Sequence, residues 1–422
     1  MEMKQICKGV KLCTHQTDKF KTARLSFSFI TSLGRHTSAN SLVVHLLSAT
    51  NSKYKTISEM NRKLASLYGA TLSCNVSKCG DMQVLSLILT AIDDRFTFEN
   101  ERICKDCVEL LCECVFRPNV SPDGFFAEDV NREKRLLIEK IEAEKDDKRA
   151  YAFSRLIEEM CSEEAYGLNK FGKIEEIEKL TEKELFTRWM RLIVNSPVQI
   201  NYVGSADPQI IEEAVLPYFV SLQRKDILVV KTDFITSAHE ENTIREKQNV
   251  KQGKLVIGWR AGMTYDRDNF PALKLMNMLF GGGTFSKLFT NVREKMSLCY
   301  YCSSQLIASK GLLVVQSGVE TENTEKALIA IKNELEEIKK GNFSQETLRN
   351  AKLSYCDTLK SIYDNSGAID SWMLSYSVDS VYYSPEKLCE LINAVSKEEI
   401  IVAASLITLD TVYILEGEKE EE

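Results

Sequence analysis

The two halves of this chain resemble each other, and this internal repeat constrains the fold more than any other feature of the sequence. Leu67–Cys74 (LYGATLSC) is similar to Lys295–Cys302 (KMSLCYYC), and at the same offset Val84–Leu87 falls on Leu312–Val315. In both halves an amphipathic helical pattern leads into a strand hairpin, which a pair of long helical patterns follows. The repeat and the length of 422 residues predict two similar modules rather than one large core.

The predicted modules are of the α+β class and are separated by a linker. We place the first module at residues 1–220 and the second at residues 251–422. Residues 221–250 between them are polar, charged and weakly periodic. We interpret them as an interdomain linker of ~30 residues, which is longer than an ordinary connection.

Composition excludes several classes of protein. Hydrophobic residues make up 44% of the chain and charged residues 27%, as in ordinary globular domains. The net charge is −7 and no basic stripe is present, which argues against nucleic-acid binding. No apolar run is long enough to span a membrane, and the N-terminal residues lack the apolar core of a signal peptide. Because the chain has 13 cysteines and no export signal, we expect a cytoplasmic location and free thiols.

The most informative stretch is Leu279–Ser304 (LFGGGTFSKLFTNVREKMSLCYYCSS). It contains a glycine run made of Gly281, Gly282 and Gly283. An amphipathic helical pattern follows, and Arg293 and Tyr300 lie where that pattern gives way to a strand. A glycine turn before a helix is typical of phosphate sites. The spacing matches neither GxGxxG nor GxxxxGK[ST], however, and therefore argues against nucleotide binding.

This stretch is similar to a signature of the pitrilysin/insulinase family of zinc metallopeptidases, which runs close to LGGGxxSRLFxxVREKxGLxYxxxS. The resemblance implies two similar domains, each a mixed or antiparallel sheet packed against helices, that face each other like a clamshell. It also implies that the glycine run contacts substrate, and that Arg293 and Tyr300 hold the substrate backbone and stabilise the oxyanion. Without the resemblance, Arg293 is interpreted as a surface helix residue and Tyr300 as a half-buried strand aromatic.

The zinc motif of that family is not matched here. The family carries HxxEH on a helix of the first domain and takes a further glutamate ligand from a later helix. The corresponding positions on the first helix fall near Asn40, Val43 and Val44. A slip of one residue brings His45 into register but supplies no glutamate. On the later helix, REKxxILEEI aligns with Arg132–Ile141, which places Lys140 at the ligand position.

These substitutions predict that the chain binds no catalytic zinc, because a protonated lysine cannot ligate a cation. His45 lies on an apolar helix and is interpreted as a core histidine. A rearranged site that combines His45 with Glu133 or Glu139 stays open as an alternative. The other histidines are His15 and His36 in polar turns and His239 in the linker.

Two cysteine pairs have the spacing CxxC. Cys104 and Cys107 belong to an apolar stripe along one helix, which indicates a core face rather than a metal site. Cys299 and Cys302 lie at the start of a strand, where side chains three residues apart face opposite sides. That placement argues against a thioredoxin-like redox pair, which needs a helix N-terminus.

The resemblance covers nearly the whole chain and implies the zinc-less subunit of a heterodimeric peptidase. In such pairs one chain carries zinc, and the other supplies the arginine, the tyrosine and a wall of the chamber that encloses a peptide substrate. A scaffold or binding protein without proteolysis is the alternative. Similar paired proteins of some Gram-positive bacteria are associated with lysine modification of elongation factor P. A single-chain zinc peptidase with an atypical site is a third hypothesis.

Overall fold

The computed structural model describes residues 1–238, 240–263, 268–378 and 383–417. His239, which the sequence places in the linker, lies outside these residues. The strands are β1 (Glu2–Cys7), β2 (Val10–Gln16), β3 (Thr22–Ser32), β4 (Thr71–Cys79), β5 (Met82–Ile92), β6 (Val120–Ser121), β7 (Gly124–Phe125), β8 (Val198–Gly204), β9 (Asn242–Gln248), β10 (Gly253–Arg260), β11 (Cys299–Ile307), β12 (Leu312–Val319) and β13 (Thr408–Gly417).

The α-helices are α1 (Thr37–Ala49), α2 (Ile57–Ser66), α3 (Ile103–Phe116), α4 (Ala127–Asp146), α5 (Lys148–Met160), α6 (Ile174–Lys179), α7 (Glu182–Asn195), α8 (Gln209–Ser221), α9 (Phe270–Phe280), α10 (Thr324–Lys339), α11 (Gln345–Ser361), α12 (Ser366–Val378), α13 (Pro385–Ala394) and α14 (Lys397–Ser405). A π-helix spans Leu288–Lys295.

The chain forms two compact units, and each unit combines separate segments of the sequence. The first contains Met1–Glu142, Leu168–Lys231 and Ile362–Val378. The second contains the described residues of Ala143–Gly167, Thr232–Ser361 and Asp379–Glu422. Helix α5 thus belongs to the second unit and α12 to the first. Strand β9 lies within residues 221–250 and pairs in parallel with β13, so part of the predicted linker is a strand of the second sheet.

The first unit is built on a six-stranded mixed sheet with the order β1-β2-β8-β3-β5-β4. Strand β3 alternates apolar and polar residues, as its sequence predicts. Its apolar side, which includes Phe27 and Phe29, packs in a core shared with α1, α3, α7 and α8. Its polar side is covered by α12: Ser26 Oγ donates to Asp370 Oδ1 at 2.6 Å, and Asn201 Nδ2 on β8 donates to the same oxygen at 2.8 Å.

The second unit is built on a five-stranded mixed sheet with the order β11-β12-β10-β13-β9. Helix α5 packs on one face, where Leu156 and Met160 join a core with residues of β10, β12 and β13. Gly258 on β10 permits this close approach, since an added Cβ would lie 2.5 Å from Met160 Sδ. Both units therefore consist of a mixed sheet packed against helices, which confirms the predicted α+β class and the tandem of similar modules.

Two predictions from the sequence concern membrane-spanning helices and disulfides. No helix in the described part of the chain is long and apolar enough to cross a bilayer. Cys356 of α11 and Cys389 of α13 form a disulfide whose Cα atoms are 5.3 Å apart. The expectation of free thiols throughout is wrong for this pair, because cysteine spacing along a sequence does not reveal which helices bring thiols together.

Candidate functional site

The glycine run ends α9 and supports the strand that carries Tyr300. The Ser304 N–H on β11 donates to the Gly281 carbonyl at 3.1 Å, and Ser304 Oγ donates to Asn277 Oδ1 on α9 at 2.7 Å. A Cβ added to Gly281 would lie 2.6 Å from Ser304 N and 2.8 Å from Leu288 Cδ1. Gly281 is therefore required for the close packing of α9 against β11.

The segment after the glycines is a π-helix rather than the α-helix that its apolar spacing suggests. Met296 N–H donates to the Asn291 carbonyl five residues back, at 2.9 Å. Asn291 is held in turn by α10, since its Nδ2 donates to Glu334 Oε1 at 2.9 Å. Leu288 and Val292 are buried, and their spacing fits both helix types, so the sequence pattern alone did not separate them. π-helical turns occur frequently at functional sites.

Arg293 lies on the half-exposed side of this π-helix. Its side chain is 40% exposed, and its Nε lies 3.5 Å from the Glu294 carboxylate. The guanidinium carbon lies 4.6 Å from the centroid of the Phe289 ring, a cation–π contact that fixes the direction of the side chain. A planar guanidinium held in this way at the surface can offer paired N–H groups to a carbonyl or carboxylate.

Tyr300 is the exposed residue at the start of β11. Its side chain is 61% exposed, not half-buried, and the register with β12 shifts between Cys299 and Tyr301. Such bulges re-aim side chains next to functional sites. The Tyr300 hydroxyl donates to the Glu320 carboxylate, and this hydrogen bond raises the pKa of Tyr300. The phenol therefore stays a hydrogen-bond donor at neutral pH.

Arg293 and Tyr300 both lie close to Cys299. Tyr300 is the next residue of the strand. A hydrogen bond with Cys302 is the main cause that lowers the pKa of Cys299, and the charge of Arg293 adds to it. Cys299 lies opposite Val319 and Cys302 opposite Ser317, and because these partners are two residues apart on β12, the two thiols share one side of β11. The expectation that they face opposite sides is wrong, because it assumed a strand without a bulge.

The first set of zinc-motif positions lies in the core of the first unit. Val43 and Val44 are 0% and 1% exposed and pack among apolar side chains. Asn40 Nδ2 donates to Gln83 Oε1 at 2.8 Å. In this register the motif positions hold Asn40, Val43 and Val44, none of which is a histidine or a carboxylate.

The structure favours a different register, five residues further along than the first, in which the motif begins at His45. The His45 ring is buried against Phe171, with ring centroids 6.4 Å apart, and its Nδ1 lies 2.7 Å from the Ser41 carbonyl. Lys140 Nζ lies 5.0 Å from the same Phe171 ring. Burial lowers the pKa of His45, and the positive charge of Lys140 adds to this effect.

With His45 as the first position of HxxEH, Ser48 replaces the glutamate and Ala49 replaces the second histidine. The sequence HLLSA at residues 45–49 corresponds to HxxEH. Counting back from the following turn placed the motif elsewhere and therefore missed this correspondence. Ser48 and Lys140 both act on the Cys74 thiol: burial raises the pKa of Cys74, while a hydrogen bond with Ser48 and the charge of Lys140 oppose that rise. His45, Ser48 and Lys140 therefore converge on one small region.

These residues do not fit a zinc ion. One imidazole remains, and an ammonium group stands where the family has a carboxylate ligand. Glu133 pairs with Arg132 at 3.0 Å, and Glu139 is an exposed residue that pairs with Arg135 at 3.7 Å. Across the part of the chain that the structure describes, no group of three or more His, Cys, Asp or Glu side chains is arranged to hold a metal.

Comparison with known proteins identifies the family. Residues 179–355 match the family described as "Peptidase M16 inactive domain". The chain is 31% identical over 417 residues to the "Probable inactive metalloprotease YmfF" of Bacillus subtilis (strain 168), covering 99% of this chain and 98% of that protein.

Solved structures agree in fold over the whole chain. A conserved protein from Enterococcus faecalis V583 superposes with a TM-score of 0.88 at 27% identity, covering 100% of this chain and 99% of that one. A peptidase M16 inactive domain from Pseudomonas fluorescens superposes with a TM-score of 0.78 at 18% identity, with coverage of 100% and 99%, and shows the fold alone. The chain therefore belongs to the peptidase M16 (insulinase/pitrilysin) family, among its inactive metalloprotease-like members.

Proposed function

We propose that this chain is the zinc-less subunit of a heterodimeric M16 peptidase. Arg293 and Tyr300 serve the partner's zinc site by binding peptide and stabilising the oxyanion. The observation that carries the proposal is a contrast between the two units of the chain. Helix α1 has His45, Ser48 and Ala49 at the motif positions, near Lys140, where the family has zinc ligands and a general base. In the second unit, by contrast, the side chains of Arg293 and Tyr300 are accessible at the surface.

The edge strand β11 offers a place for the peptide. Within the described residues β11 has one neighbouring strand, β12, so its other side presents backbone N–H and C=O groups, apart from the Ser304 N–H that donates to the Gly281 carbonyl. An extended peptide can add to such an edge as a further strand. Tyr300 lies on this strand and Arg293 on the π-helix that leads into it, and the exposed Gly282 lies in the turn before that π-helix.

The chemical roles follow from charge and proton state. A guanidinium is charged at every working pH and binds a substrate carbonyl or an oxyanion. Tyr300 keeps its proton because its pKa is raised by Glu320, and it can exchange that carboxylate for an oxyanion that develops in the transition state. The zinc of the partner supplies the Lewis acid and the activated water. This chain needs no cofactor of its own.

The test is mutagenesis within the reconstituted pair. We expect Arg293→Ala to lower kcat by about 10²- to 10³-fold, the loss typical for removal of one oxyanion donor, and Tyr300→Phe to act in the same direction. Arg349→Ala is the matched control, because Arg349 is an exposed arginine on α11 of the same unit. Equal losses in the Arg293 and Arg349 variants would contradict the assigned role.

A scaffold without proteolysis is the second candidate, and one observation favours it. Both signature side chains already have partners within the chain: Tyr300 donates to Glu320, and Arg293 rests on Phe289. If they are only structural, Arg293→Ala and Tyr300→Phe will leave every activity of the pair unchanged. Under the peptidase proposal the same variants assemble with the partner normally but lose turnover.

A further inference from the structure

Cys299 and Cys302 are brought together by the bulge at Tyr300. In a regular strand, side chains three residues apart point to opposite faces of the sheet. Here Cys299 pairs across the ladder with Val319, and Cys302 pairs with Ser317. Three steps along β11 therefore match two steps along β12. The extra residue turns Cys299 to the side on which Cys302 already lies.

The two thiols form a local cluster in which one is activated and the other holds its proton. Both are buried, at 8% and 4% exposure, and neither is part of a disulfide. Cys302 lies opposite Ser317 on β12, and the Ser317 hydroxyl donates to the Tyr301 carbonyl at 3.1 Å. The hydrogen bond from Cys302, aided by Arg293, lowers the pKa of Cys299. The same bond together with burial raises the pKa of Cys302.

We propose that Cys299 and Cys302 are a redox modification site that forms a reversible intrachain disulfide. A hydroperoxide is the oxidant. The Cys299 thiolate attacks a peroxide oxygen, the O–O bond breaks, and Cys299 becomes a sulfenic acid while the other oxygen leaves as water or an alcohol. The Cys302 sulfur then attacks the Cys299 sulfur, and the S–O bond breaks. The hydroxide takes the Cys302 proton and leaves as water. A dithiol reductant reverses the oxidation by exchange.

Formation of this bond changes the geometry at Tyr300. Because three steps along β11 match two steps along β12, the Cα atoms of Cys299 and Cys302 lie about 7 Å apart, at the upper limit for a disulfide. Oxidation therefore draws the two ends of the bulge together and shifts the backbone of Tyr300, which lies between them. The consequence for activity rests on the proposed function: oxidised chain raises the KM of the reconstituted peptidase and lowers its kcat.

The chain contains its own matched control. Cys104 and Cys107 have the same CxxC spacing on α3, and both are buried. Burial raises the pKa of each to about 12, so neither supplies a useful fraction of thiolate at neutral pH. Motif spacing alone would make the two pairs equally reactive. The structure makes only the bulged pair reactive.

The experiment treats the full-length chain with hydrogen peroxide at neutral pH and follows both pairs by non-reducing peptide mass spectrometry. The Cys299–Cys302 peptide should lose two hydrogens at least about tenfold faster than the Cys104–Cys107 peptide, and dithiothreitol should restore it. Cys302→Ser should accumulate sulfenic acid at Cys299 that dimedone traps, while Cys299→Ser should leave Cys302 reduced. Circular dichroism of the variants reports whether they fold.

Two results would overturn the proposal. One is oxidation of the Cys104–Cys107 pair as fast as the Cys299–Cys302 pair. The other is trapping of Cys302 in Cys299→Ser as readily as Cys299 in Cys302→Ser. Because the readout is mass, it needs no partner and no activity. A negative result in the oxidation experiment therefore bears only on the redox proposal. The peptidase proposal is tested separately, by the kinetics of Arg293→Ala.

Discussion

Gly281→Ala should destabilise the second unit by loosening the strand that carries Tyr300. The new Cβ would lie 2.6 Å from Ser304 N, 2.7 Å from Ser304 Oγ and 2.8 Å from Leu288 Cδ1. The nearest of these atoms belongs to the backbone, so rotation of a side chain cannot relieve the clash. Ordinary contacts of about 3.5 Å require β11 to retreat by about 0.9 Å.

The magnitude follows from two costs. Overpacking of a close-packed site costs about 1–3 kcal/mol. The retreat also weakens the 3.1 Å hydrogen bond from Ser304 N–H to the Gly281 carbonyl, which is worth about 1 kcal/mol. The expected loss is therefore about 2–4 kcal/mol. The backbone of Gly281 adds no strain of its own, because its φ of −152° is open to any residue.

Native-state hydrogen exchange is the right assay, because a chain of two units need not unfold in one step. Amides of β11 should exchange faster in Gly281→Ala than in the wild type. The control is Gly283→Ala, where the three atoms nearest the added Cβ all belong to the Phe285 ring, the closest at 2.9 Å, and that ring can rotate away. Equal protection of β11 in the two variants would refute the packing argument and leave substrate contact as the reason for the glycine run.

Two further predictions concern charge. Burial acts to raise the pKa of Glu164, but Lys310 at 2.8 Å and a neighbouring arginine outweigh it and hold that pKa below its usual value. Glu164→Gln should therefore cost about 3–5 kcal/mol near neutral pH. The difference in Tm between this variant and the wild type should become smaller as the pH falls below about 4.5, because protonation removes the charge of Glu164 from the wild type. A Tm difference that grows in acid would contradict the lowered pKa of Glu164. The triple substitution Ser48→Glu, Ala49→His and Lys140→Glu should create a stoichiometric zinc site measurable by calorimetry. The double variant Ser48→Glu, Ala49→His, which keeps Lys140, should bind zinc far more weakly. If the triple variant binds zinc no more tightly than the wild type, the register that begins at His45 is wrong.

The repeat predicted the tandem of α+β modules because alternating and helical periodicities report which side of each element is buried. Periodicity does not report which sheet an element covers. Helix α5 lies within residues 1–220, predicted as the first module, yet packs on the second sheet, and α12 of the predicted second module covers the polar side of β3. The hairpin of β4 and β5 was predicted well because its turn is local.

The sequence identified the signature residues but not their local geometry. The glycine run, Arg293 and Tyr300 were found from the signature, but the π-helix and the bulge were not, since one extra residue in a turn or strand leaves the apolar pattern almost unchanged. His45 was interpreted as a core residue, with a rearranged metal site as the alternative. Its contact with Phe171, which Lys140 also approaches, depends on long-range packing that the local sequence does not encode.

The most direct test measures the zinc content and peptide hydrolysis of the purified chain, alone and after mixing with a zinc-bearing M16 subunit. The account predicts no stoichiometric zinc and no hydrolysis for the chain alone, and about one zinc per pair with hydrolysis after mixing. Stoichiometric zinc beside His45 together with hydrolysis by the single chain would contradict it.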